Sequence, residues 1–317
     1  MLRFFKWFLG AATVSMMLTA CGGDDDPAPL PTIAQAAQDK GFTALTAAAS
    51  KAGLASALSD SSASLTVFAP TNDAFAKLAT QLGFASADAM VTALPASTLA
   101  SILQYHVLGS RKVAADLAAG GSTQATLYNF TGSAVPLTLS FSGGVSIKDA
   151  ALTTARVTTP DVMASNGVIH AVDKVLVPPG VLNIVQMAQV NPLFDTLVGA
   201  VVKANLQTTL SGAGPFTVFA PTHDAFAAIA STVDGLSTQQ LSNVLTYHVL
   251  ASQVLAANIP FGTPITTVLG QTFVINAGTP PTITDSTSAP AKIIATDVRA
   301  SNGVIHVVDK VLIPNPL

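Results

Sequence analysis

Cysteine, tryptophan, aromatic side chains and charge are all scarce in this chain. One cysteine among 317 residues, Cys21, excludes an intrachain disulfide. Lys and Arg form no run beyond the extreme N-terminus, and the formal charge is −3. Phosphate backbones are held by clustered cations, so no nucleic-acid partner is expected. Aromatics make up 6%, and the only tryptophan is Trp7, so stacking platforms for bases or sugars are few. Charged residues are 10% and hydrophobic residues 50%. That is too little charge for a disordered chain and enough apolar material for two compact cores. No G-x-S-x-G elbow, H-E-x-x-H pair or phosphate-binding glycine loop occurs. Neither an enzyme nor a cofactor is expected.

What the chain does have is a module written twice. LTVFAPTNDAF (65–75) returns as FTVFAPTHDAF (216–226), and Tyr105-His106-Val107-Leu108 returns as Tyr247-His248-Val249-Leu250. ASNGVIHAVDKVLVP (164–178) returns as ASNGVIHVVDKVLIP (300–314). Three blocks in one order mark a duplication. The unit is domain-sized, so each copy should enclose its own core. The separation between equivalent residues shrinks along the chain, so the second copy has lost residues in two places. Such losses are expected in surface loops.

The N-terminus reads as a targeting segment. Residues 1–20 carry Arg3 and Lys6 and then a short apolar run ending Leu18-Thr19-Ala20-Cys21. A charged start and short apolar stretch make a secretory signal. The ending resembles the lipobox of bacterial lipoproteins, which implies lipidation of Cys21 and a membrane partner through that anchor. The resemblance implies a Gram-negative cell envelope, with export through the inner membrane. Gly22 after the cysteine favours the outer membrane. Residues 21–31, reading CGGDDDPAPLP, form an extended solvated tether.

The modules are expected at 32–178 and 181–315, divided at Pro178-Pro179-Gly180. Each should begin with helices, because Ile33, Ala36, Ala37, Phe42, Leu45 and Ala49 fall at helical spacing. A short strand follows (65–69, 216–220). Thr71 and Thr222 suit an N-cap, with Asp73 and Asp224 in the first turn. The remainder reads as short strands. Asn166-Gly167 and Asn302-Gly303 are strong hairpin-turn signals, because both residues tolerate positive φ, so 161–164 should pair with 168–172 and 293–299 with 304–308. Helices followed by an antiparallel sheet give an α+β fold class.

His170 and His306 sit between valines on one strand face, which reads as a core histidine with a satisfied hydrogen bond rather than a metal ligand. His223, which replaces Asn72, reads as an exposed turn residue. Asp173-Lys174 and Asp309-Lys310 read as solvated or hairpin-bonding groups, since neighbours along a strand face opposite ways.

The three blocks resemble the fasciclin domain, and the resemblance covers essentially everything after the tether. It implies two tandem fasciclin-like domains, each a β-sandwich-like core with a helical layer. It also implies extracellular adhesion to an unknown surface protein or polysaccharide. In animal members, contact with integrins is attributed to an Asp-Ile pair before the last motif and to the Tyr-His region. The resemblance carries these over to Pro160, Asp161, Val162 and Met163, to Asp297 and Val298, and to Tyr105, His106, Tyr247 and His248. Val stands for Ile in both copies, and Thr296 and Arg299 replace Pro160 and Met163 in the second. Two other functions fit less well: an esterase-like hydrolase acting on a cell-wall or plant polymer, and a carrier of a small apolar ligand.

Overall fold

The computed structural model describes residues 29–316. The expected signal segment and Cys21 lie outside the described residues. The first domain opens with three short helices, α1 (Ile33–Asp39), α2 (Thr43–Lys51) and α3 (Ala55–Ser59). Strand β1 (Leu65–Pro70) follows. Then come α4 (Asn72–Gln81), α5 (Ala87–Ala93), α6 (Ala96–Tyr105), the short β2 (Val107–Leu108) and α7 (Ala114–Ala119). Strands β3 (Thr123–Phe130), β4 (Ser133–Ser140), β5 (Ser146–Lys148), β6 (Thr154–Ala164) and β7 (Gly167–Val172) complete it.

The second domain repeats the plan. Its helices are α8 (Ile184–Gln189), α9 (Asp195–Lys203) and α10 (Gln207–Ser211), then β8 (Phe216–Pro221), α11 (His223–Ala227), α12 (Ala230–Asp234) and α13 (Thr238–Tyr247). Strands β9 (Val249–Leu250), β10 (Pro264–Thr266), β11 (Thr272–Asn276), β12 (Thr282–Thr284), β13 (Ala291–Ala300) and β14 (Gly303–Val308) follow. The expected α+β class is what the chain adopts. The remainder of each module is less strand-rich than its composition suggested: α5, α6 and α13 occupy it. Their Ala, Ser and Thr content leaves the helical period faint, and burial of Leu99, Ile102 and Leu103 decides the matter.

Each domain has one seven-stranded sheet, ordered β2-β1-β7-β6-β5-β4-β3 in the first and β10-β11-β12-β13-β14-β8-β9 in the second. The sheets curl until their ends meet. Val268 N donates to Val249 O at 2.7 Å, joining the two edges in the second domain. The central pair β1/β7 is parallel, and so is β8/β14. These strands are buried on both faces and read as largely apolar runs, interrupted by Thr66 in β1 and His170 in β7. Alternation then sorts their side chains: Val67, Ala69 and Ile169 face the helices, while Phe68 and Val172 fill the curled sheet's interior.

The expectation of one core per copy holds for the interiors of the curled sheets, which are separate clusters. It is corrected for the helical side. There the apolar layers of both domains join into one cluster through Val175, Val177, Leu182 and Val190. Asn191 Nδ2 donates to Ala151 O at 2.7 Å, Tyr128 Oη to Pro179 O at 2.9 Å, and Lys174 Nζ to Val190 O at 3.3 Å. The linker is thus a packed seam.

The expected hairpins form, β6 pairing antiparallel with β7 and β13 with β14, but the turn residues are shifted by one. The loop residues are Ser165-Asn166 and Ser301-Asn302, and neither asparagine has positive φ. Gly167 and Gly303 already belong to the strands. They are needed because a Cβ there would lie 2.1 Å from Leu65 O and 2.2 Å from Phe216 O. A two-residue loop with positive φ at both positions, as a primed turn demands, occurs at Thr131-Gly132 between β3 and β4.

Candidate functional site

The residues expected to make contact fall into two groups. Tyr105 and His106 are each 1% exposed, and Tyr247 and His248 are each 2% exposed. Their expected role at the surface is corrected: they end α6 and α13 and point into the core. The His106 ring accepts from Leu176 N at 2.9 Å on Nε2, so Nδ1 carries the proton and donates to Ile102 O at 2.7 Å. His248 repeats this with Leu312 N and Val244 O, both at 2.8 Å. Burial pushes both rings down to a pKa of about 4. Each histidine therefore pins the end of a helix to the segment that follows the last strand of its domain. Burial also pushes up the phenol of Tyr105, to a pKa well above the ordinary tyrosine range, and that of Tyr247.

The second group lies on β6 and β13. Pro160, Asp161 and Met163 are exposed, and Val162 is half-buried. In the second domain Asp297 is exposed, but Val298 is 3% exposed and belongs to the core, so its expected contact role is corrected too. Both aspartates sit in β-bulges with φ of 58° and 59°. Bulges redirect a side chain out of the strand's alternation. Here the redirected carboxylate has a local use. Val113, at the cap position of α7, has no side-chain acceptor, and Asp161 Oδ1 takes the Ala114 N–H at 2.8 Å. Leu255 has the same deficiency, and Asp297 Oδ1 takes Ala256 N at 3.0 Å. The Asp161 N–H in turn donates to His170 Nδ1 at 3.2 Å, and His170 Nε2 donates to Lys112 O at 3.0 Å. His306 does the same between Asp297 N and Val254 O, at 3.4 and 2.9 Å, and burial lowers its pKa.

The pattern has a testable consequence. Asp161→Ala should cost about 1–2 kcal/mol of stability, through the lost cap and the strain of alanine at positive φ. Asp161→Asn, which keeps an acceptor and tolerates positive φ, should cost well under 1 kcal/mol. Urea denaturation of the two variants checks this. Equal losses would remove the capping role.

Two other pairs of groups, Thr66 with Thr217 and Asp149 with Asp285, were not legible in the sequence. Thr66 Oγ1 donates to Ser110 O and accepts from Lys112 N, at 2.7 and 2.8 Å, and Thr217 does the same with Ser252 and Val254. Asp149 is buried and takes four donors, from Ala151 N, Thr153 N, Thr153 Oγ1 and Val177 N. Burial raises its pKa. Its counterpart Asp285 pairs with Lys310 at 3.1 Å and also takes the Ile313 N–H. Asp173 and Asp309 accept from Arg156 N and Lys292 N, a hairpin-bonding role. His223 Nδ1 lies 2.7 Å from Thr196 Oγ1 at the start of α9. Among the described residues no group of three or more His, Cys, Asp or Glu is arranged to hold a metal ion.

The profile of the fasciclin domain matches residues 40–178 and 192–314. The chain belongs to the fasciclin family. Among its relatives is the Synechocystis protein sll1483, 43% identical over 140 residues, covering 42% of this chain and 74% of that protein. Transforming growth factor-beta-induced protein ig-h3 of pig is 32% identical over 256 residues, covering 80% of this chain. The match spans 35% of the pig protein's length. A solved FAS1 domain pair from the insect cell adhesion molecule fasciclin I aligns over 88% of this chain and 94% of that one, with 16% identity and a TM-score of 0.44.

Proposed function

We propose that this chain is a non-enzymatic adhesion protein of a Gram-negative cell envelope. It is held to the membrane by lipid on Cys21 and meets a surface protein or polysaccharide through its paired fasciclin domains. The observation that carries the reading is the exposed edge at Pro160, Asp161 and Met163 in a chain of this family. His106, His170, His248 and His306 are each engaged by backbone groups on both ring nitrogens, so none of these four offers a free base. No helix among the described residues is long and apolar enough to cross a membrane. Attachment would then depend on the acyl chains, each buried methylene contributing about 0.8 kcal/mol. Many anchored chains on one membrane raise effective concentration, so single contacts need not be strong.

Cells expressing the wild type should attach to a polymer- or protein-coated surface, and cells expressing Met163→Asp should not. Equal attachment by both would sink the contact edge. Separately, Cys21→Ser should move the protein from the membrane pellet to the soluble fraction. A variant that stays in the pellet ends the lipid-anchor reading.

A further inference from the structure

The two domains do not offer the same surface, because the first one covers part of the second. Phe130 ends β3 beside the Thr131-Gly132 turn, and this tip reaches across the seam. The Arg299 guanidinium lies 5.4 Å from the Phe130 ring centroid. Gly180 runs beneath the ring so closely that a Cβ there would lie 2.2 Å from it. Gly180 N donates to Arg299 O at 3.0 Å.

That surface has a counterpart in the first domain. Leu182 O accepts from Ser301 N at 2.8 Å, and Pro31 O accepts from Ser165 N at 2.9 Å. Residues 29–31 therefore run along β6 as residues 180–182 run along β13. Arg299 then matches Met163, and Val181, which is packed against two cores, matches Leu30. In the first domain Leu30 is 50% and Met163 39% exposed. The cation is present too, from a different position. Arg111 Nη2 lies 3.8 Å from Met163 Sδ, and the equivalent of Arg111 in the second domain is Gln253. Each surface thus keeps one guanidinium beside apolar atoms.

The second domain has no tip of this kind. Thr126 Oγ1 bonds to Val135 O nine positions on, across the β3–β4 turn. Thr267 Oγ1 makes the same bond to Gln271 O only four positions on. One of the two losses seen in the repeat has removed the segment that would correspond to Phe130. The pair is closed at its second domain and open at its first.

We propose that Leu30, Met163 and Arg111 form a docking surface for an aromatic side chain carried on a loop of a partner protein. This deepens the adhesion reading and rests on it for the contact edge. Phe130 on the second domain is the internal precedent for the occupant. A guanidinium attracts the face of a ring, and a thioether packs well against a ring's edge. The chemistry on the open surface is therefore selective for aromatics over other apolar groups.

A backbone-cyclised peptide of residues 123–138, carrying the Phe130 tip, tests this. It is titrated by NMR against the full mature chain in detergent micelles. One site per chain is expected. Binding should weaken roughly tenfold when the peptide carries Phe130→Ala, and likewise when the chain carries Arg111→Glu or Met163→Asp. Both chain positions are exposed, and an unchanged melting temperature confirms that they leave the fold intact. A chain carrying Phe130→Ala should show a second site. No binding, equal binding by the alanine peptide, or indifference to both chain variants overturns the proposal. Dimerisation of the wild type that Met163→Asp abolishes also overturns it, because the occupant is then a second molecule. So does Met163-dependent co-sedimentation of the Cys21→Ser chain with phosphatidylglycerol vesicles, since the surface is then a lipid contact. If attachment of cells fails while the peptide result stands, the adhesion reading falls and the docking surface remains.

Discussion

Asn166→Ala should lower the unfolding free energy by about 3–5 kcal/mol, and Asn302→Ala by a similar amount. Asn166 is buried at the hairpin between β6 and β7, and its amide reaches three backbone groups. Oδ1 accepts from Ile33 N at 2.8 Å, the first residue of α1. Nδ2 donates to Leu58 O at 3.0 Å and Asp60 O at 2.9 Å, where α3 ends. Asn302 makes the same three contacts with Ile184 N, Leu210 O and Gly212 O. One side chain thus ties both ends of the helical layer to the sheet. Removing it leaves a donor and two acceptors without partners, each costing about 1–3 kcal/mol when buried.

Asn166→Asp sharpens the test. It has nearly the same shape but no donors, and it turns a carboxylate oxygen toward two carbonyls. A buried charge facing acceptors is costly, so the aspartate variant should be at least as damaging as alanine. Urea titrations with an unchanged m-value would measure both losses. A loss within 1 kcal/mol for either variant would show that the asparagine is only a turn former.

Acid should destabilise the fold before any carboxylate is fully protonated. His106 and His248 titrate at about 4 in the folded chain, against 6.5 for a solvated imidazole. The cause is burial, opposed in part by the bond each ring donates to a backbone carbonyl. Above pH 6.5 neither state takes up a proton at these rings, and they leave stability unchanged. Between pH 6.5 and 4 the unfolded chain binds protons that the folded chain refuses, so stability falls as pH falls. Below about pH 4 both states are protonated and the loss levels off. The full loss is on the order of 3 kcal/mol for each ring.

The carboxylates near the two rings differ between the domains. Asp149 has a raised pKa, so the folded first domain takes up a proton more readily than the unfolded chain and offsets some of the loss. Asp285 has a lowered pKa, with Thr287, Ile313 and Lys310 holding its charged form against burial, so it adds to the loss in the second domain. Calorimetry at pH 7, 5 and 4 should show the second domain melting at a lower temperature as the acid deepens. Stability that stays flat from pH 7 to 4.5 would mean that the rings are not closed off from protons.

The sequence by itself determined the architecture. Three blocks repeated in order announce two copies of one fold, because a duplicated pattern of apolar positions buries the same way twice. The N-caps at Thr71 and Thr222 and the core role of His170 and His306 were also legible, since each depends on a few neighbouring residues. The roles of Tyr105, His106, Asp161 and Asn166 were not. Their partners lie at positions such as Leu176, Ala114 and Ile33, and no local pattern names them. Only the tertiary structure decided which copy keeps an open surface. The packing of Phe130 across the seam depends on a hairpin that one domain has and the other lost, and on the linker that lays Gly180 beneath it. Local sequence sets periodicity and caps, but which faces remain in water is settled by what the rest of the chain places against them.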